Sequence, residues 1–276
     1  MKRWKCYSCR KQFSVKVGSI FEDSALSLDK WMLGLWMLVN CKNGVSSYEL
    51  HRATGMGQKA AWFVLQRLRH TLNETYSEKM NGTIQVDESF HGGNTQKMHK
   101  SRRLQIQRAR NEMRSTDHGG VNPGKTAVFG LLESDTRQVR AMVVPNVKRS
   151  TLMQAILDNV GFGSTVHSDM YPGYQGMPKE FVHETVNHMK EYVTDAGVHT
   201  QAIENFWSLL KRTLSGTYVA VEPVHMDRYL AEQCFRFNNR GSKDKPMNDD
   251  DRFTKALAQV GGKRLTWKQL TRKEAA

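Results

Sequence analysis

Apolar and polar positions follow two rhythms along this 276-residue chain. From 27 to 72 the rhythm is helical. Leu28, Trp31, Met32, Leu35, Trp36 and Val39 recur at the 3.6-residue period and predict an amphipathic helix over 27–41, with Ser27 as its N-cap. Ser46 and Glu49 have the spacing of a capping box, which opens a short helix. Thr54-Gly55-Met56-Gly57 breaks it, and Gln58 to Leu72 reads as a longer helix. A helix, a short helix, a glycine turn and a longer helix give the order of a helix-turn-helix. An ordinary three-helix bundle is the alternative.

After a polar stretch over 73–82 the period shortens. Thr83 to Phe90 alternates as a strand and ends at His91-Gly92-Gly93. Thr126 to Leu132 and Gln138 to Val144 predict a hairpin around the polar turn Glu133 to Thr136. Ser150 caps a helix over 151–160, Ser164–Ser168 and Phe181–Val186 are further strands, and Met226–Phe237 is a late helix. Between these last elements lies His199–Arg212, HTQAIENFWSLLKR. Ile203, Phe206, Trp207, Leu210 and Leu214 form a narrow apolar stripe there, and Thr200 is the expected N-cap. Glu204, Ser208 and Lys211 lie together just off one edge of the stripe. The basic segment 94–124 is poor in apolar side chains and predicts a mobile insertion; the polar tail 241–276 predicts partial disorder.

Composition narrows the setting. With 39% hydrophobic residues the chain can build a core, yet no apolar run suits a membrane-spanning helix. The start, MKRWKCYSCRKQF, lacks the apolar segment of a signal peptide, so a cytoplasmic protein without a membrane partner is expected. The net charge of +14 is unevenly placed: 1–80 carry +7, 94–125 carry +6 and the remainder +1. Two basic blocks beside a nearly neutral body suit a polyanion, most economically nucleic acid. On the longer helix Gln58, Lys59, Arg67 and Arg69 are of the types that contact phosphates or base edges, which makes Lys59, Arg67 and Arg69 candidate DNA contacts.

The cysteines form no disulfide framework. Cys6 and Cys9 make a C-x-x-C knuckle, which is half of a tetrahedral zinc site; Cys41 and Cys234 stand apart. Phe13, Val15, Val17, Ile20 and Phe21 continue the knuckle in the manner of the second hairpin of a zinc ribbon, whose first knuckle would lie upstream of Met1. A partial ribbon over 1–24 with an incomplete Zn2+ site is therefore expected.

Three acids stand out by placement. Asp87 lies late in the first strand of the body, Asp169 follows a later strand just before Tyr171-Pro172-Gly173, and Glu204 lies on the striped helix. Carboxylates converging beyond a sheet edge can hold Mg2+ or Mn2+, and two such ions can stabilise both oxygens of an in-line phosphoryl transfer. Without cations the three would repel one another and their pKa values would rise. Glu88 points to the opposite face of its strand and is expected to be structural or solvated. Asn205 is turned away from Glu204, and His199 either orients substrate or a carboxylate or helps cap the helix. Lys211 shares the face of Glu204 and, with Arg212, is a candidate DNA contact, although cations also suit a helix C-terminus. Trp207 is expected in the core, and His167, His183 and His188 make no metal motif.

Together these pieces resemble the DDE transposases of bacterial insertion sequences, in the ISXO-like group with an N-terminal zinc ribbon. The matching stretches are KCYSCRKQFSVKVGSIFE (Lys5–Glu22), VDESFHGG (Val86–Gly93), HSDMYPGY (His167–Tyr174), the 199–212 box in the form H-T-x-x-I-E-x-F-W-S-L-L-K-R, and FRFNNR (Phe235–Arg240). They are collinear and span most of residues 4–240. The resemblance implies an α/β fold with a ribonuclease-H-like catalytic core, a mixed sheet flanked by helices. It implies that Asp87, Asp169 and Glu204 bind two Mg2+ ions, that water cleaves the element ends, and that the freed 3′-hydroxyl attacks target DNA. The 35-residue gap between Asp169 and Glu204 matches the spacing common in such enzymes. The chain departs from the pattern in lacking the first zinc knuckle. The expected domains are a partial zinc ribbon (1–24), a helix-turn-helix-like domain (25–80), the catalytic domain (81–240) and the tail (241–276). The expected partners are terminal inverted repeats, target DNA and further copies of the chain. A non-catalytic DNA-binding repressor derived from a transposase, and a metal-dependent nuclease without joining activity, are the competing functions.

Overall fold

Helical sequence from both ends of the chain folds into one unit, and the strand-rich middle into another. In this computed structural model residues 3–74, 76–92, 98–114, 123–187, 194, 197–242 and 245–271 are described. The units are Met1–Glu74 with Asn239–Ala276, and Thr75–Asn238.

The first unit begins with strands β1 (Trp4–Lys5) and β2 (Gln12–Phe13), paired antiparallel around the C-x-x-C knuckle. Helices α1 (Leu28–Asn40), α2 (Ser47–Thr54) and α3 (Gln58–Thr71) follow close to their predicted bounds. The capping box of α2 is formed: Glu49 N–H donates to Ser46 Oγ at 3.2 Å, and Ser46 N–H donates to the Glu49 carboxylate at 2.7 Å. Gly55 closes α2 with φ of 67°, a conformation glycine adopts without a Cβ penalty. Trp31, Leu35 and Leu38 of α1 are buried with Leu50 of α2 and Val64, Leu65 and Leu68 of α3.

In the second unit the sheet comprises β3 (Thr83–His91), β4 (Thr126–Glu133), β5 (Val139–Val144), β6 (Thr165–Asp169) and β7 (Val182–Val186). Helix α4 (Lys100–Arg114) lies between β3 and β4, α5 (Arg149–Asn159) precedes β6, and α6 (Gln201–Thr213) and α7 (Met226–Asn238) close the unit. The spatial order is β5-β4-β3-β6-β7. The β3–β4 and β4–β5 pairs are antiparallel, whereas β6 runs parallel to β3 and β7 parallel to β6. A mixed sheet flanked by helices, as expected for the body, is thus present. One sheet face carries Ile84, Val86, Phe129 and Leu131 against Leu152 and Ile156 of α5; the other carries Val128 and Leu132 against Ile203, Phe206, Trp207 and Leu210 of α6. Burial on both faces explains why β4 reads as an almost continuous apolar run.

Two segments carry helices that the sequence pattern did not lead us to expect. The insertion predicted to be mobile holds α4, which is exposed along most of its length with Ile106 buried. Its Lys, Arg, Gln and Leu residues are good helix formers without Gly or Pro, and propensity outweighs the scarcity of apolar side chains. Residues 94–97 and 115–122 of that insertion fall outside the described residues. The tail, expected to be partly disordered, carries α8 (Asp249–Leu257) and α9 (Trp267–Leu270) and belongs to the first unit. Phe253 packs on Trp36, Trp267 packs edge-on to Trp62 and Phe63, and Arg252 donates to Asn40 Oδ1 at 3.0 Å. A few well-spaced aromatic side chains supply the anchoring that overall polarity conceals. No described helix is long and apolar enough to cross a membrane.

Candidate active site

Parallel pairing of β3 and β6 sets the site. The paired register ends with Gln85 opposite His167; Asp87 lies two residues further along β3 and Asp169, the last residue of β6, two residues further along its neighbour, near enough for the charge of Asp169 to act on Asp87. Both lie on the sheet face covered by α6, because side chains two apart share a face. Asp169 Oδ1 accepts the Tyr171 N–H at 2.9 Å, a local turn bond that fixes the carboxylate at the strand end.

Asp87 is held from the helix. Trp207 Nε1 donates to Asp87 Oδ2 at 3.0 Å. The indole reaches that far because the β4 residue opposite Asp87 is Gly130. A Cβ at Gly130 would stand 2.6 Å from Trp207 Cζ2, so glycine leaves the slot the ring occupies. The Asp87 carboxyl is pushed up to about 7, first by burial, then by the charges of Glu88 and Asp169; the Trp207 N–H acts in the opposite direction.

Gln85 ties β3 to the start of α6. Its Oε1 accepts the N–H groups of Ala202 and Ile203 at 3.0 and 3.3 Å, and its Nε2 lies 3.2 Å from Ser134 Oγ and 3.3 Å from His199 Nδ1. A strand side chain therefore satisfies the free N–H groups at the helix N-terminus. Thr200 sits at the N-cap position, but its hydroxyl makes no cap bond and donates instead to Glu204 Oε1 at 2.8 Å. His199 contacts the Gln85 amide that accepts these helix N–H groups.

Glu88 points to the opposite face, as strand alternation requires, but is not solvated. Its carboxylate accepts the hydroxyl of buried Tyr174 at 2.5 Å. Burial raises the Glu88 pKa, with the charge of Asp169 adding to it, and the Tyr174 hydroxyl is raised well above its ordinary value by burial and by Glu88. Glu88 thereby contributes negative charge near Asp87 from behind the strand.

The structure thus brings Asp87 and Asp169 together. Glu204, half-buried on α6, is engaged by Thr200. Among the described residues no three His, Cys, Asp or Glu side chains stand close enough to hold one ion. Asp87 is half-buried with the charges of Glu88 and Asp169 acting on it, an arrangement whose repulsion a divalent cation would relieve. Trp207 is in the core as expected, with its N–H turned to use. His167 Nε2 lies 3.1 Å from Glu184 and His183 Nε2 lies 2.8 Å from Ser168 Oγ, structural roles consistent with their dispersal; His188 falls outside the described residues.

The expected DNA contacts separate. Lys211 and Arg212 are exposed on the last turn of α6, and Lys59 is exposed with its amine 4.8 Å from the Trp267 ring centre. Arg67 and Arg69 are buried, contrary to expectation. The Arg67 guanidinium donates to Glu22 O at 2.8 Å and lies over the rings of Trp31 and Phe63. The Cys6–Cys9 knuckle is a tight turn, with Arg10 N–H donating to Cys6 O at 2.9 Å, and the Cys6 thiol is lowered by hydrogen bonds from Cys9 and Ser8. No described third ligand joins it.

Residues 79–238 match the ISXO2-like transposase domain. An uncharacterized protein in transposable element ISH50 of Halobacterium salinarum is 24% identical over 216 residues, covering 77% of this chain and 71% of that protein. An uncharacterized transposase-like protein of Haemophilus influenzae is 32% identical over 109 residues, covering 39% of this chain and 87% of that protein. Among solved structures, the catalytic core domain of BIV integrase is similar over 64% of this chain and 97% of its own, with 16% identity and a TM-score of 0.35. The catalytic core domain of HTLV-2 integrase in complex with magnesium covers 64% and 99%, with 11% identity and a TM-score of 0.32.

Proposed function

The chain belongs to the ISXO2-like transposase family, and from that premise we propose that it cleaves the ends of an insertion sequence and joins them to target DNA, with Asp87, Asp169 and Glu204 as its acidic residues. The observation that carries this reading is the placement of Asp87 and Asp169 on the neighbouring parallel strands β3 and β6 of the matched region, where the charge of one acts on the other. Water is the nucleophile for end cleavage, and the freed 3′-hydroxyl is the nucleophile for joining.

Each residue has a task. Trp207 orients the Asp87 carboxylate through its N–H, and the Tyr171 N–H orients Asp169. These two aspartates would hold Mg2+ or Mn2+, with Glu204 added from α6 once its carboxylate turns away from Thr200. Bound divalent cations supply stabilisation of the attacking and leaving oxygens of phosphoryl transfer. Lys211 and Arg212, exposed on the same helix, meet DNA phosphates. Lys59, exposed in the first turn of α3 after a short helix and a glycine turn, is the remaining DNA contact of a helix-turn-helix-like unit. Paired cleavage of two element ends calls for more than one copy of the chain, working on DNA in the cytoplasm.

The test is end cleavage and strand joining on DNA carrying the inverted repeats that flank the gene, in Mg2+. Asp87→Asn and Asp169→Asn should each lower cleavage by about 1,000-fold or more while DNA binding persists. Cleavage retained by both variants overturns the assignment. A second reading, a DNA-binding repressor derived from a transposase, is favoured by the Glu204 carboxylate accepting the Thr200 hydroxyl. Specific binding by the wild-type chain without Mg2+-dependent chemistry would establish it. Cleavage without joining of a pre-cut 3′ end would identify a nuclease.

A further inference from the structure

Beyond the acidic residues, at the far end of β3, the second unit holds an open cleft of about 500 Å3. Phe90, Leu214, Val221 and Met226 give it an apolar wall, and Lys125 and Lys211 give it two cations. His91 lines it as well. That side chain is 4% exposed, yet its Nε2 has no partner among the described residues. Its ring rests against Trp207, with centroids 6.0 Å apart. Trp207 is also the donor to Asp87, so one side chain touches both the cavity wall and the acidic pair.

The segment that rims the cavity is built abnormally. After α6 the chain continues as a single π-helical turn, Leu214–Tyr218, a form that recurs at functional sites. Val219 then adopts φ of 60° and ψ of −53°, while Ala220 N–H donates to Tyr218 O. This is a γ-turn of the strained hand on a β-branched residue. Strain of that kind clusters at ligand clamps, and Val219 lines the cavity.

The chemistry of the lining selects the occupant. An inorganic anion would satisfy the lysines but leave four large apolar side chains facing water. An apolar molecule would leave both ammonium groups and the imidazole unanswered. A nucleotide carries both halves, and the volume lies in the range of small-ligand sites. Burial first, then the charges of Lys211 and Lys125, hold the His91 imidazole down to about 4. The ring is therefore neutral near pH 7 and can meet a base edge as donor or acceptor.

We infer that this cavity takes one unpaired nucleotide of a DNA strand, its base against the apolar wall and His91, its phosphate on Lys125 and Lys211. The inference rests on the reading of the chain as a DNA-processing protein and adds to it a pocket for an unstacked base.

The experiment uses the full chain labelled with methyl-13C methionine, the Met226 methyl signal being assigned with Met226→Leu. Titration with dAMP should shift that signal saturably through the ring current of the base. Deoxyribose 5-phosphate should bind at least about tenfold more weakly, and inorganic phosphate more weakly still. Lys211→Ala, at an exposed position, should weaken dAMP binding by about tenfold or more, and Lys211→Arg should recover most of it. An unmoved Met226 signal at millimolar dAMP overturns the proposal, as does equal affinity for dAMP and deoxyribose 5-phosphate, which would mark an anion site alone. Asp169→Asn should bind dAMP as the wild type does. A chain that cuts DNA without binding dAMP refutes only the pocket; one that binds dAMP and never cuts DNA refutes only the transposase reading.

Discussion

Helices α3 and α6 are of similar length, and both carry basic side chains among aromatic ones, yet they treat those side chains oppositely. In α6 the apolar residues form one stripe, Ile203, Phe206, Trp207 and Leu210, and everything beside it is free to face outward. Glu204, Lys211 and Arg212 accordingly stay at the border or in solvent. In α3 the apolar residues Ala61, Trp62, Phe63, Val64, Leu65 and Leu68 spread around the helix, and Trp267 from the C-terminal segment covers a further side. Lys59 is its sole exposed residue, and Arg67 and Arg69 are interior. A basic residue is available to a polyanion when the apolar pattern of its helix is one-sided; residue type alone does not decide it.

The sharpest way to break this contrast is to truncate one cation on each helix. Arg67→Ala removes a buried guanidinium that serves Glu22 O and two aromatic rings. It should cost about 2–4 kcal/mol of local stability, read as faster hydrogen exchange of α1–α3 amides. Lys211→Ala should change stability by less than about 0.5 kcal/mol while lowering strand cleavage. If Arg67→Ala left exchange unchanged and removed DNA binding, the contrast would be wrong.

Next in size is Gly130→Ala. The added methyl would meet the Trp207 ring at 2.6 Å, and overpacking of this kind costs about 1–3 kcal/mol. The indole must shift, so its hydrogen bond to Asp87 should weaken as well. Thermal unfolding and the cleavage rate should both fall. A neutral effect on both would mean that the slot opposite Asp87 is wider than the structure shows.

What could be read from the sequence divides along the same line. Periodicity located α1, α2, α3, α6 and all five strands of the body, because their signals are local. The α2 capping box was readable for the same reason: Ser46 and Glu49 are three residues apart. The cap of α6 was not, since its acceptor is Gln85, more than a hundred residues away on a strand. Nor could spacing reveal that Gly130 makes room for Trp207, that Glu88 bonds Tyr174, or that Trp267 returns to cover α3. Asp87 was legible as an acid late in a strand and Asp169 as one at a strand end, but their proximity depends on β3 and β6 being neighbours in the sheet. The one available signal for the buried arginines was the breadth of the apolar pattern on α3.

Asp87→Asn supplies a smaller effect of unusual sign. The folded-state pKa of Asp87 is raised from 3.8 to about 7, so the folded chain penalises its ionised form. That penalty is absent below the unfolded value, grows as pH rises between the two, and is full above about 7. In chelator at pH 8, Asp87→Asn should therefore raise the melting temperature of the second unit by a few degrees, on the order of 1–2 kcal/mol. Near pH 4 the gain should vanish. Divalent cations should narrow the gap at pH 8 by stabilising the wild type. A variant less stable than wild type at pH 8 in chelator would show that the acids around Asp87 do not strain the fold.

The smallest effect tests the local cap of α2, the counterpart of the long-range cap on α6. Glu49 is held below the ordinary carboxylate range, first by the Ser46 N–H, then by the Ser46 hydroxyl. A depressed folded pKa stabilises above the unfolded value, and that contribution is lost as pH falls through the folded one. Glu49→Gln should cost a few tenths of a kcal/mol at pH 7 and nothing once the wild-type carboxylate is protonated, whereas Ser46→Ala should cost about 1 kcal/mol at either pH. Hydrogen exchange in α2 at the two pH values separates the outcomes. A pH-independent cost for Glu49→Gln would mean that Glu49 acts through its shape and not its charge. The box would then be a steric fit, and its legibility from spacing would owe nothing to electrostatics.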